Sequence, residues 1–219
     1  DGTGTGRDII TVKYDVNGNQ LWTARYNGTG NGNDVANATV VDGSGNVYVT
    51  GKTTSLTGGV NYITIKYNSN GVQQWVNTYN GLGNASDIAV SIDYSSTGRL
   101  FITGTSQNIL GNTDIVTIRL NPNNGNQMWV KTINGSANGN DVAYALLADG
   151  NDVVIVGSKN NITTGDDYIT LKYSGANGNI LWQNSYDFAN SSNKATAIAK
   201  DATGNYAVTG IVLNGSIVE

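Results

Sequence analysis

The chain has 219 residues, 38% apolar and only 13% charged, with a net charge of −4; that length suits one all-β domain of ordinary size. The absence of any basic run argues against nucleic-acid binding, and no stretch approaches the ~18 consecutive apolar residues of a helix inserted in a membrane. With no His and no Cys, the chain cannot supply a Ser-His-Asp or Cys-His site, a Cys/His zinc site or a disulfide.

In chain order, "DIITVKY" (8–14) predicts a strand, "DVNGN" (15–19) a hairpin turn and "QLWTARY" (20–26) a second strand. The loop "GTGNGN" leads to "VANATVVD" (35–42), the turn "GSGN" and "VYVTG" (47–51). A longer loop, "KTTSLTGGVN", then precedes "YITIKY" (62–67), "NSNG" and "QQWVNTYNG" (73–81). The alternation has period two, with Ile63, Ile65 and Tyr67 on one face and Tyr62, Thr64 and Lys66 on the other. Asn-Gly at 17–18, 70–71 and 177–178 suits a turn that needs positive φ. The 29 Gly and 32 Asn would otherwise suggest disorder, but the apolar residues fall in short, evenly spaced β-branched and aromatic runs.

That order then repeats. Trp22, Trp75, Trp129 and Trp182 recur at intervals of 53, 54 and 53; Gly51, Gly104, Gly157 and Gly210 recur every 53, as do Lys13, Lys66, Arg119 and Lys172. Four copies of four strands, over 8–60, 61–113, 114–166 and 167–219, predict an all-β propeller of four-stranded antiparallel blades filling 1–219. "VANATVVD" is then the innermost strand and "QLWTARY" the outermost of a blade. Small residues at Ala36, Ala89, Ala143 and Ala195, and again at Ala38, Ser91, Ala145 and Ala197, are expected on one face of the inner strand, at a crowded axis. The Trp residues are expected between blades. The chain opens on strands three and four and closes on one and two, so the last half-blade is expected to complete a first one. This closure would occur within four blades, within a longer ring, or between two chains sharing a ring. With no signal peptide and Asp1 at its head, the sequence reads as a mature or excised piece.

The pattern "DIITVKYDVNGNQLW", "YNG", "DVANATVVDGSGNVYVTGKT" resembles the bacterial SBBP repeat, and the resemblance covers essentially the whole chain in four copies. Copy three departs at Leu120 and Ile133, copy four at Asn193. The resemblance implies a secreted or surface-exposed bacterial protein, seven blades as the usual count, and no common catalytic residue set.

Several constellations stand out. Asp34, Asp87 and Asp141, with Asn193 in the fourth place, head the inner strands. They are expected to ring the channel mouth, where carboxylates would hold Ca²⁺ or a cationic ligand, or else to accept hydrogen bonds from their own Gly/Asn-rich loops. The latter fits a role repeated blade by blade. The cations at 13, 66, 119 and 172 read as partners of local carboxylates or as solvated edges. Asp93 breaks the repeat, since Val40, Leu147 and Ala199 take its place elsewhere; it is the residue to test for carboxylate chemistry, ahead of Asp166, Asp167 and Glu219. The strand two–three loops and the inter-blade loops share one face and are rich in Asn, Thr, Ser and Gly, which suits binding a protein or a glycan. The expected function is a non-catalytic scaffold, without a cofactor, that binds partners at the cell surface. The alternatives are a carboxylate-dependent carbohydrate-active enzyme and a module that self-assembles through its terminal half-blades.

Overall fold

β-Branched and aromatic residues favour a pleated backbone, and each alternating run becomes a strand in the computed structural model, which describes residues 6–57, 59–188 and 191–213. The strands are β1 Ile9–Tyr14, β2 Gln20–Tyr26, β3 Val35–Val41, β4 Val47–Thr54, β5 Val60–Tyr67, β6 Gln73–Tyr79, β7 Asp87–Tyr94 and β8 Leu100–Gln107. They continue as β9 Thr113–Leu120, β10 Gln127–Ile133, β11 Val142–Asp149, β12 Asp152–Asn161, β13 Gly165–Tyr173, β14 Ile180–Tyr186, β15 Ser192–Lys200 and β16 Tyr206–Leu213. Sheets β3–β6, β7–β10 and β11–β14 are four-stranded, each in simple up-and-down order, while β1–β2 and β15–β16 are separate two-stranded sheets.

The first strands of successive blades, β3, β7, β11 and β15, pack against one another in sequence. Side chains tie them together: Asn37 Nδ2 donates to Ala89 O at 2.7 Å, Leu146 N to Ser91 Oγ at 3.3 Å and Ala148 N to Asp93 Oδ2 at 2.9 Å. Neighbouring outer strands are not packed in this way, so the blades fan outward from a shared hub. The hub thus carries the alanines, and the Trp residues lie on the outer strands, as the repeat predicts.

One expectation is corrected by the pairing. Every inner strand carries a β-bulge, between Ala36/Ala38, Ala89/Ser91, Ala143/Ala145 and Ala195/Ala197. The two small residues pair with consecutive partners, Gly51 and Thr50 in the first case, so they do not share one face as strict alternation implies. The bulge also accounts for the glycine recurring every 53 residues. A Cβ on Gly51, Gly104, Gly157 or Gly210 would sit 2.0, 2.1, 2.2 or 1.9 Å from the carbonyl oxygen of Val35, Ile88, Val142 or Lys194. Gly104→Ala, which collides with backbone as well as with the Tyr62 hydroxyl, is expected to cost on the order of 2–3 kcal/mol, read as a lower urea midpoint with unchanged slope.

The core consists of layers between blades. Ile9, Val47, Val49, Ile63, Ile65 and Tyr67 form one; Tyr48 and Tyr62 with Ile92, Leu100, Ile102 and Ile118 form the next; Phe101, Ile115 and Trp129 with Leu146, Ile155 and Tyr173 form the third. Each indole reaches across a layer. Trp22, Trp75 and Trp129 donate Nε1–H to the carbonyls of Ser69, Pro122 and Gly175 at 3.0, 3.1 and 3.2 Å, each in the next blade's turn.

Candidate functional site

Loops leave strands two and four of each blade on one face, and the tight turns lie on the other. On the loop face the recurring acids are buried, with Asp34 2% exposed and Asp87 and Asp141 0%. Asp34 accepts from Gly28 N at 2.5 Å, Thr53 Oγ1 at 2.6 Å and Thr54 N at 3.2 Å. Asp87 accepts from Gly81 N at 2.8 Å and Ser106 Oγ at 2.5 Å. Asp141 accepts from Gly135 N and Asn160 N, both at 2.6 Å. Each carboxylate therefore clamps the incoming inter-blade loop to the end of strand two in its own blade. Burial pushes the Asp141 carboxyl up, against the two backbone donors that favour its ionised form.

Each of these acids thus spends two or three acceptor positions on its own loop and strand end. Among the described residues, no group of three or more acidic side chains is placed to hold a metal. In copy four the clamp is rearranged: Asn193 Nδ2 donates to Asp187 Oδ1 at 3.2 Å and to Ser191 O at 2.8 Å. The acid follows Tyr186 as Asn27, Asn80 and Asn134 follow the ends of their strands, and the amide takes the place of the Asp.

The inter-blade loops share a second device that sequence reasoning missed. Asn31, Asn84 and Asn138 take positive φ of 49°, 46° and 49°, a region Asn tolerates better than other non-glycine residues. Each accepts from the Asn four residues earlier, Asn27, Asn80 or Asn134, at 2.8, 2.6 and 3.0 Å. The polar groups of these loops are largely spent on the loops themselves.

Among the residues that the loops present outward are large apolar side chains. Leu56, Ile109 and Ile162, spaced every 53 residues, stand 80%, 79% and 75% exposed at the tips between strands two and three. Leu82, Leu110 and Phe188 extend the same crown. The 53-residue recurrence of one aliphatic inside an otherwise polar loop was the signal available in the sequence.

Asp93 is half-buried on β7 and accepts from Tyr94 N at 2.8 Å and Ala148 N at 2.9 Å. It links two inner strands, with each oxygen engaged by a backbone donor. Asp166 accepts from Asn160 Nδ2 and Ser192 Oγ, and Asp167 from Asn161 Nδ2 and Thr164 Oγ1. Glu219 lies outside the described residues.

The turn face corrects the reading of the cations. Lys13, Lys66 and Arg119 donate to the carbonyls of Gly45, Pro122 and Gly175 at 2.9, 2.9 and 2.8 Å, so they bridge to the next blade's turns instead of to acids. Among the described residues, Lys172 alone of the four meets carboxylates, at 2.6 Å from Asp149 and 3.8 Å from Asp152. Asp149 also accepts from Lys200 and from Tyr206 Oη. Burial by itself would raise the Asp149 carboxyl, but these three donors outweigh it and hold the group well below the usual carboxylate range. A depressed folded-state value means that its stabilisation is present near neutrality and is lost as pH falls below about 4. Asp149→Asn should therefore show a flatter loss of thermal stability between pH 6 and pH 3 than the parent chain, by melts at each pH.

Four-stranded antiparallel blades around a hub of bulged inner strands define a β-propeller architecture. No family model matches the chain, and no curated protein does. Among solved structures, a quinohemoprotein alcohol dehydrogenase from Comamonas testosteroni superposes over 91% of this chain with a TM-score of 0.62 at 14% identity. This chain spans 36% of that protein's length. BamB from Moraxella catarrhalis aligns over 95% of this chain and 82% of its own at 14% identity, with a TM-score of 0.28 that adds nothing to the assignment. At these identities the likeness concerns the fold alone.

Proposed function

We propose that the chain is a non-catalytic scaffold that docks a protein partner on its loop face. The observation that carries this reading is the in-register crown of Leu56, Ile109 and Ile162, each at least 75% exposed on loops stiffened from within. Exposed apolar groups gathered on one face mark interaction surfaces more often than scattered ones do. A sugar site would instead need convergent unspent polar groups around a concave pocket, whereas the polar groups of these loops serve loop structure. The engaged oxygens of Asp93 weigh against the carbohydrate-active enzyme. The repeat resemblance supports membership of the SBBP family and a secreted or surface location in a bacterium.

The test compares the parent chain with the triple variant Leu56→Ser/Ile109→Ser/Ile162→Ser, in capture from a bacterial envelope fraction and on a glycan array. Substitutions at such largely exposed positions should leave stability within about 0.5 kcal/mol each. The expected result is a captured protein lost with the triple variant and an array without signal. Array binding that survives the triple substitution would favour the glycan reading, and glycan hydrolysis abolished by Asp93→Asn would end the scaffold reading.

A further inference from the structure

Beneath the aliphatic crown lies a layer of buried carboxylates. Asp34, Asp87 and Asp141 head the inner strands, and Asp114 and Asp167 stand at the start of β9 and β13, at the same ends of their blades. None of the five is more than 8% exposed. They are fastened to the segments that carry the crown. Asp34 and Asp141 accept from Thr54 N and Asn160 N, just ahead of Leu56 and Ile162, and Asp87 accepts from Ser106 Oγ, ahead of Ile109. Asp114 accepts from Asn108 Nδ2 at 3.2 and 3.3 Å, and Asp167 from Asn161 Nδ2 at 2.7 Å. Those two Asn immediately precede Ile109 and Ile162. All of these donors are neutral. Among the described residues none of the five acids forms an ion pair, and Lys159 acts on Asp141 only from farther away. Asp167 Oδ1 has no hydrogen-bond partner. The turn face is closer to balance, because the cations of strand three reach it along with Arg99 and Lys200.

Charges held in a low-dielectric interior are screened by salt less than exposed ones. The layer therefore projects a negative potential through the loops that carry Leu56, Ile109 and Ile162. That field decides among occupants of the crown. An anionic bilayer is repelled, and a second copy of this chain would set one acid layer against another. We propose that the crown docks a basic amphipathic segment of a partner protein. Its aliphatic or aromatic side chains pack on Leu56, Ile109 and Ile162, and its Lys or Arg side chains are drawn to the carboxylates below them. Such a partner rests on the docking role proposed above and gives the bound segment its charge. Apolar contact supplies the affinity, and the carboxylate layer supplies the steering and the choice of sign.

The probe is a fluorescent model helix with Leu on one face and Lys on the other, compared with its Leu/Glu counterpart by anisotropy. The expected result is binding of the Leu/Lys helix alone, lost with Leu56→Ser/Ile109→Ser/Ile162→Ser. Affinity should fall about tenfold between ~0.01 and ~0.15 M salt. Thr163 is exposed beside Ile162, so Thr163→Glu should tighten binding and Thr163→Lys weaken it, each by about threefold and without touching the core. Asp167→Asn, which removes a charge from the layer itself, should also weaken it. Binding of the Leu/Glu helix overturns the proposal, as does equal affinity of the two Thr163 variants. So does crown-dependent attachment to phosphatidylglycerol vesicles, or crown-dependent dimerisation in light scattering. Envelope capture that needs the crown but ignores both salt and the charge at Thr163 would overturn the basic partner and leave the docking surface standing. Capture unchanged in the triple variant would remove the docking surface itself.

Discussion

Trp129→Ala is expected to lower the free energy of unfolding by about 3–5 kcal/mol, the range for emptying a buried indole site. Trp129 is 9% exposed and lies between two blades, tilted against Phe101 at 6.0 Å and Tyr173 at 5.8 Å between ring centroids. Its Nε1–H reaches Gly175 O, which Arg119 also caps at 2.8 Å. Truncation removes the packing of one layer and leaves that carbonyl with a single donor. Trp129→Phe keeps a ring and loses the indole hydrogen bond, a smaller change of about 1 kcal/mol beyond any packing loss. Urea unfolding of the two variants separates the contributions. Equal losses for Phe and Ala would mean that the hydrogen bond, and not the layer, holds the blades together.

Asp87→Ala should cost nearly as much, about 3–4 kcal/mol, for a different reason. The carboxylate is fully buried, and its removal strands the Gly81 N–H and the Ser106 hydroxyl, each costing about 1–3 kcal/mol when unsatisfied. Asp87→Asn keeps the volume and one acceptor oxygen and should lose less than half as much. Differential scanning calorimetry of the three chains checks the order. An alanine variant as stable as the asparagine one would show that neither the volume nor the retained acceptor oxygen of the clamp contributes.

The strands, their order within a blade and the position of the indoles were legible because each rests on a local pattern repeated four times. Alternation marks the strands, Gly at positive φ marks the hairpins, as at Gly18 and Gly71 with φ of 83° and 82°, and a fixed spacing marks the blade. The bulge was not legible. Its extra residue is Asn37, Val90, Tyr144 or Thr196 in the four copies, with no shared chemistry, because what forces the bulge is pairing across to the next strand. The acids were legible as a set but not in what they do: their type and spacing are visible, whereas the choice between a channel ion and a loop clamp depends on how "YNG" folds back six residues upstream. Asp93 stood out for breaking the repeat, and its partner Ala148 lies a blade away, beyond any local signal. The aliphatic crown was overlooked because single apolar residues inside Asn-rich loops look like noise until their register is counted.

Radial arrangement of the blades underlies all of this, and it can be measured directly. Leu21, Gln74, Met128 and Leu181 are exposed residues that precede each Trp on the outer strands, and spin labels at cysteines placed there in pairs report the spread of the blades. Rotation about a hub predicts equal distances for the pairs 21–74, 74–128 and 128–181, with the 21–181 distance well short of their sum. A 21–181 distance equal to that sum would mean blades stacked in a straight pile and would contradict a propeller.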